Sequence, residues 1–123
     1  MSIRELSGLH VSLDKVQYTD ELAPADRPHR FIYFITIKNE SSETVTIRGR
    51  KWVVRELEGE TVVVEGDGVV GEFPRLDPGE SYSYNSSHIV AGHATVDGAY
   101  FGVTENGDRI FVRIPRFELI PPR

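Results

Sequence analysis

Arg30-Phe31-Ile32-Tyr33-Phe34-Ile35-Thr36-Ile37-Lys38-Asn39 holds an unbroken run of β-branched and aromatic residues from Phe31 to Ile37. Such a run, closed by the polar turn Asn39-Glu40-Ser41-Ser42, specifies a β-strand. Phe31, Tyr33, Ile35 and Ile37 make one apolar face, but Ile32 and Phe34 make the other apolar as well. The outer face of a lone antiparallel sheet is polar. Something must therefore cover Ile32 and Phe34: a loop, the C-terminal stretch Phe117 to Ile120, or a second subunit in a homodimer.

Outward from this strand, alternation recurs and helical periodicity does not. Val11 and Leu13 alternate with polar residues, and Val16 and Tyr18 resume on the opposite parity. Thr44 to Leu57 and Thr61 to Glu65 read as a hairpin closed at Glu58-Gly59. Glu80 to Val90, Ala94 to Thr104 and Arg109 to Leu119 complete about seven strands. Asn106-Gly107 supplies the positive φ for a tight turn between the last two, and Gly92 marks a hairpin between the two before them. With no room for crossover helices, the class is an all-β, immunoglobulin-like or fibronectin type III-like antiparallel sandwich.

In Thr44 to Leu57, Val45 and Ile47 point inward, which puts Arg48 and Arg50 outward. Unbroken, that register would bury Lys51 and expose Trp52, and burying an unpaired lysine is costly. The register should slip near Gly49, where a β-bulge favours glycine, and turn Trp52 and Val54 into the core. Pro115 cannot donate to a ladder, so the last strand should be an edge or carry a bulge.

The 123 residues bound the function classes. They make one domain, 1–123, able to form its own core. Without cysteine there is no disulfide, thiolate metal site or cysteine nucleophile. A net charge of -5 argues against a nucleic-acid partner. No apolar run reaches membrane length and the first residues lack a signal-peptide core, so the expectation is a cytoplasmic protein with no membrane partner.

Gly66-Asp67-Gly68-Val69-Val70-Gly71 matches GxGxxG. The dinucleotide mechanism needs a helix opening at the loop, and Pro74 and Pro78 leave no helix there. A nest of backbone N–H groups for phosphate remains the functional reading, beside a glycine-rich connection chosen for its backbone angles. Leu76-Asp77-Pro78-Gly79-Glu80-Ser81-Tyr82 is similar to a tyrosine corner, in which the Tyr82 hydroxyl bonds an upstream carbonyl. His88, His93 and Asp97 have no spacing of a known metal site, and Ser86-Ser87-His88 lacks the elements of a triad. No cofactor, metal ligand or catalytic residue is assigned. Arg48, Arg50, Lys51 and Arg55 are the densest basic cluster. The candidate binding surface joins the Gly66–Glu72 loop (Gly66, Gly68, Gly71 and Glu72) to Arg48 and Arg50, for an unidentified protein partner; the alternative is a binder of phosphate-rich small molecules, such as a nucleotide or diadenosine polyphosphate, or of divalent cations at the glycine-rich loop.

Gly68-Val69-Val70-Gly71-Glu72, then Pro74-x-Leu76-x-Pro78-Gly79-Glu80 and Tyr82-x-Tyr84-x-Ser86, resembles the signature of the ApaG family. Val45, Arg50 and Trp52 upstream, and Gly98-x-Tyr100 and Ile114-Pro115-x-Phe117-x-Leu119 downstream, extend the resemblance over about residues 8–119. It implies a fibronectin type III-like sandwich and no catalytic activity. Bacterial members stand alone and are associated with cobalt tolerance and magnesium efflux. Eukaryotic ones are fused to an F-box protein and to a polymerase-delta-interacting protein, which implies a protein-interaction module. This chain departs from the pattern at Ser86-Ser87, where relatives carry Ser-Gly, and at Ala91 to Val96, where they carry Thr-Pro-x-Gly-x-Met.

Overall fold

The computed structural model describes residues 2–123 and contains nine strands and no helix among them. None of the described residues therefore lies in a helix long and apolar enough to cross a membrane. The strands are β1 (Ile3–Glu5), β2 (Leu9–Thr19), β3 (His29–Asn39), β4 (Val45–Glu56), β5 (Thr61–Asp67), β6 (Arg75–Leu76), β7 (Ser81–Val90), β8 (Ala94–Thr104) and β9 (Arg109–Leu119). The seven long strands are those that alternation marks. The two short ones, β1 and β6, carry too few residues to show a period.

Two sheets face each other. One runs β1-β9-β8-β4-β5, with β6 also on β4; the other is β2-β3-β7. All pairings are antiparallel except β1 with β9, which is parallel. The core lies between the sheets. Phe31, Tyr33, Ile35 and Ile37 of β3 meet Ile47, Trp52 and Val54 of β4, Val96 and Tyr100 of β8, and alternate residues of β9.

Three bulges reset the side-chain parity. A bulge sets two residues against one, so every later side chain changes face. In β2 the extra residue is Asp14, which accounts for the shift from Val11 and Leu13 to Val16 and Tyr18. In β4 it is Arg48, between Ile47 and Gly49. Trp52 and Val54 turn inward as expected, at 1% and 5% exposure. The slip comes one step earlier than the residue pattern suggests, and this corrects Arg50. It lies on the same face as Trp52, not on the outward one. In β9, Pro115 and Arg116 together oppose Asp97, so the proline sits where no ladder bond is needed.

Other expectations change with the topology. The last strand is not a free edge along its whole length, because β1 pairs with Arg109–Phe111 and β2 packs beside β9. Residues 91–93 do not form a hairpin; they carry the chain from one sheet to the other. Glu56 Oε1 accepts from the N–H groups of Ala91 and Gly92 at 3.0 and 3.1 Å and holds that crossing. Asn106-Gly107 does close a tight turn, with Gly107 at φ 86. The C-terminal stretch does not cover Ile32 and Phe34. Phe117 and Leu119 point into the core, and Ile120 is exposed. Lys15 lies over the Phe34 ring instead, and Glu21 and Leu22 line a hollow beside Ile32.

The corner at Leu76–Tyr82 is built differently from the expectation. The Tyr82 ring packs at the core edge, but its hydroxyl forms no hydrogen bond among the described residues. The Leu76 carbonyl accepts from Asn39 Nδ2 at 2.9 Å. Asn39 is fully buried and also donates to the Glu43 carbonyl at 2.8 Å. Its Oδ1 accepts from the Ser41 N–H and hydroxyl. An amide has two donors and an acceptor oxygen, and here both ends are used.

Candidate functional site

The two sheets close differently along their two sides. On one side β2 packs against β9. On the other, the edge strands β5 and β7 leave a narrow cleft of about 180 Å³, lined by Arg27, Val54, Glu56, Val62, Val64, Ser87, His88 and Ile89. β5 is short because the chain turns at Gly66 to Glu72. β7 ends the other sheet because residues 91–93 take the chain across to β8.

Three N–H groups of the glycine-rich loop are committed to backbone carbonyls. Gly68 N–H donates to the Arg48 carbonyl at 2.8 Å, and Val69 and Glu72 exchange both N–H···O bonds at 2.8 and 3.0 Å. Val70 and Gly71 between them both have positive φ, 48° and 81°, as a tight hairpin turn demands. Gly68 is glycine for a steric reason as well. A Cβ there would lie 2.4 Å from the Glu72 carbonyl oxygen. A nest needs successive N–H groups converging on one point; three of those available here are already bonded, so the phosphate-nest reading is not supported.

Arg50 reaches this loop, as the candidate surface requires, and donates there to backbone carbonyls. Its guanidinium lies across Gly66, where any Cβ would come within 2.7 Å of Nη1. It donates to the carbonyls of Asp67 and Gly68 at 2.8 and 3.2 Å. Arg48 is exposed and lies 5.5 Å from the centre of the Phe73 ring. The structure thus brings Gly66, Gly68, Gly71, Glu72, Arg48 and Arg50 into one region. Trp52, Leu76, Pro78, Gly79 and Tyr82 lie in the framework behind it and at the corner.

Sequence reasoning missed an aromatic cluster behind the cleft. His88 stacks on Tyr33 with centroids 4.8 Å apart and meets Trp52 edge-on at 4.8 Å. Its Nε2 is buried with no hydrogen-bond partner among the described residues. Burial disfavours the charged ring and lowers its pKa to about 4, so the imidazole is neutral near pH 7. Tyr84 and Tyr100 share a hydrogen bond between their hydroxyls, and burial raises the pKa of both. The signal was the parity of β7: Tyr82, Tyr84, Ser86 and His88 alternate on one face, opposite Ile37, Ile35, Tyr33 and Phe31. The other two histidine-cluster candidates go elsewhere. Asp97 pairs with Arg55 and Arg116 at 2.7 and 2.9 Å, and His93 lies 3.7 Å from Glu118. The described residues hold no cluster of three or more His, Asp or Glu side chains suited to a metal ion.

Comparison with known proteins places the chain. A family model, the ApaG domain, matches residues 19–104. Protein ApaG of Vibrio cholerae is 42% identical over 93 residues, covering 75% of this chain and 74% of the relative. Protein ApaG of Salmonella arizonae is 34% identical over 113 residues, covering 91% and 90%. Among solved structures, the crystal structure titled as an ApaA protein of Bordetella pertussis is similar, with a TM-score of 0.84, 31% identity and 99% of each chain covered. The family model and the relatives show that the chain belongs to the ApaG family.

Proposed function

We propose that this chain is a non-enzymatic protein-interaction module that binds a partner through the open side of its sandwich. One observation carries the reading: exposed apolar side chains occur on both faces of β5 and in the turns at its two ends. Leu57, Val63, Val64, Val70 and Phe73 are all substantially exposed there. An edge strand that exposes apolar side chains on both faces, with more in its flanking turns, offers the apolar surface expected of an interaction site. The chemistry nearby supports the same reading. The neutral His88 has no nucleophile bonded to it, and the loop that resembles a phosphate cradle has committed the N–H groups of Gly68, Val69 and Glu72 to carbonyls. The association of ApaG proteins with cobalt and magnesium then reflects an action through a partner rather than ion binding by this chain.

The test pairs two measurements. Thermal unfolding is followed with magnesium, cobalt, ATP and diadenosine tetraphosphate, and no shift is expected. A ligand at a hundred times its Kd would stabilise by about 2.7 kcal/mol. Capture of a specific protein from native extract should be lost in a Val70→Asp, Phe73→Asp variant of unchanged melting temperature. Stabilisation by one of the small ligands, with capture indifferent to the variant, overturns the reading.

A further inference from the structure

β5 has an unpaired edge whose free groups can be identified. It pairs with β4 alone. Glu56 N–H donates to the Glu60 carbonyl and Gly68 N–H to the Arg48 carbonyl, and the register between them runs from Arg55↔Thr61 to Gly49↔Asp67 without a shift. In an antiparallel pair, bonded and non-bonded positions alternate. Val62, Val64 and Gly66 therefore face β4 with their backbone groups, while Thr61, Val63, Glu65 and Asp67 point theirs away from it. Arg50 confirms the phase, since it reaches around Gly66 to the outward carbonyl of Asp67. That guanidinium also ends the edge. What stays open is Thr61 to Glu65.

The other edges are blunted in the ways that stop unwanted pairing. β1 has three residues. β2 carries the Asp14 bulge and Lys15, and the unpaired half of β9 carries the bulge at Pro115. β7 shows Ser81, Ser83, Asn85 and Ser87 on its outer face. β5 has no bulge against β4 and no basic residue or proline, since from Glu56 to Pro74 the chain has no lysine or arginine and no proline before Pro74; its only charges, Glu65 and Asp67, are acidic.

Charge selects the occupant. Glu58 and Glu60 precede the edge, and Asp67 and Glu72 follow it. None of the four side chains forms an ion pair among the described residues. Of the nearby bases, Lys51 pairs with Glu65, Arg55 with Asp97, and Arg50 bonds the loop carbonyls; Arg48 lies over Phe73, and Arg27, which lines the cleft, forms no ion pair among the described residues. A second copy pairing antiparallel through β5 would bring Glu58 and Glu60 of each chain beside Glu65 and Asp67 of the other, and like charges across strands are unfavourable.

We propose that the Thr61–Glu65 edge binds an extended apolar segment of another protein, flanked by lysine or arginine, as an added β-strand. This rests on the interaction-module reading and names its partner chemistry. Main-chain bonds to Thr61, Val63 and Glu65 supply the pairing, and alternate side chains supply selectivity. Side chains of the added strand that face inward meet Val62, Val64 and the cleft floored by Val54, His88 and Ile89. At about 180 Å³, that cleft suits one aliphatic side chain. The basic flanks meet the carboxylates at both ends.

The probe is a synthetic peptide of alternating valine and threonine with two lysines at each end, beside its glutamate-flanked counterpart. Binding is read by titration and by amide hydrogen exchange. The lysine peptide should slow exchange at Thr61, Val63 and Glu65, and the glutamate peptide should bind at least about tenfold more weakly. Val63→Pro removes an outward donor and leaves the β4 ladder intact, so it should weaken the lysine peptide about tenfold with the fold retained. Should that variant unfold, Thr61→Pro makes the same test at the strand's first residue. Equal binding by folded Val63→Pro, equal binding of both peptides, or a dimer of the free chain that Val63→Pro dissolves each overturns the proposal. Absence of peptide protection while native capture still depends on Val70 and Phe73 overturns strand addition alone. Loss of both, with a small ligand stabilising the chain, overturns the interaction module too.

Discussion

The two ends of β3 bury polar side chains in opposite ways. At its C-terminal end, Asn39 is fully buried and bonds the Leu76 and Glu43 carbonyls and both donors of Ser41. Near its N-terminal end, opposite Phe31, His88 is stacked on Tyr33 with its Nε2 unpartnered. The first polar group ties three segments together and stabilises the corner. The second costs stability, since a buried polar group without a bond forfeits its hydration. The costly group sits on the open side, beside the edge proposed to bind, where an incoming strand would finish the packing.

The contrast can be broken most strongly at Asn39. Asn39→Ala removes the side-chain donor from the Leu76 carbonyl and the acceptor from the Ser41 N–H, leaving the Ser41 hydroxyl only the Glu43 carbonyl, and should lower the unfolding free energy by about 3 kcal/mol in a denaturant titration. The opposite end answers to pH. The folded pKa of His88, about 4, lies below the unfolded value near 6.5. Between those values the unfolded chain binds the extra proton, so stability is present above about pH 6.5 and lost as pH falls toward 4. The loss due to this group should be on the order of 2–3 kcal/mol. His88→Phe keeps a ring against Tyr33 and should remove that part of the acid sensitivity, read as the difference between the two stability–pH curves. Parallel curves would mean the imidazole is solvated in the folded state. The smallest effect belongs to Tyr82→Phe. With no hydroxyl bond to lose, it should change stability by less than about 0.5 kcal/mol. A loss of 1 kcal/mol or more would restore the tyrosine corner.

The strands were legible because each needs one buried face, and a period of two records it locally. The bulge near Gly49 was legible because the uninterrupted register would have buried Lys51. What local pattern does not carry is which strands meet. Leu76 and Tyr82 have the spacing of a tyrosine corner, yet the donor to Leu76 comes from Asn39, on another strand. Gly92 looked like a hairpin turn because nothing in Val90 to Ala94 tells a turn within a sheet from a crossing between sheets. Within the candidate site, Arg50 and the glycine loop were found as neighbours. That Gly68, Val69 and Glu72 commit their N–H groups and Arg50 its guanidinium donors to backbone carbonyls depends on the fold, as does the exposure of the β5 edge.

Arg50 and Gly66 also constrain one another as the sequence changes over time. The guanidinium occupies the space that any side chain at position 66 would need. An alanine at 66 expels the arginine, uncaps the Asp67 carbonyl and lengthens the open edge. A shorter residue at 50 frees position 66 to vary. The two sites are thus expected to co-vary across descendants of this chain, and the length of strand offered to a partner is inherited through that pair rather than through β5 itself.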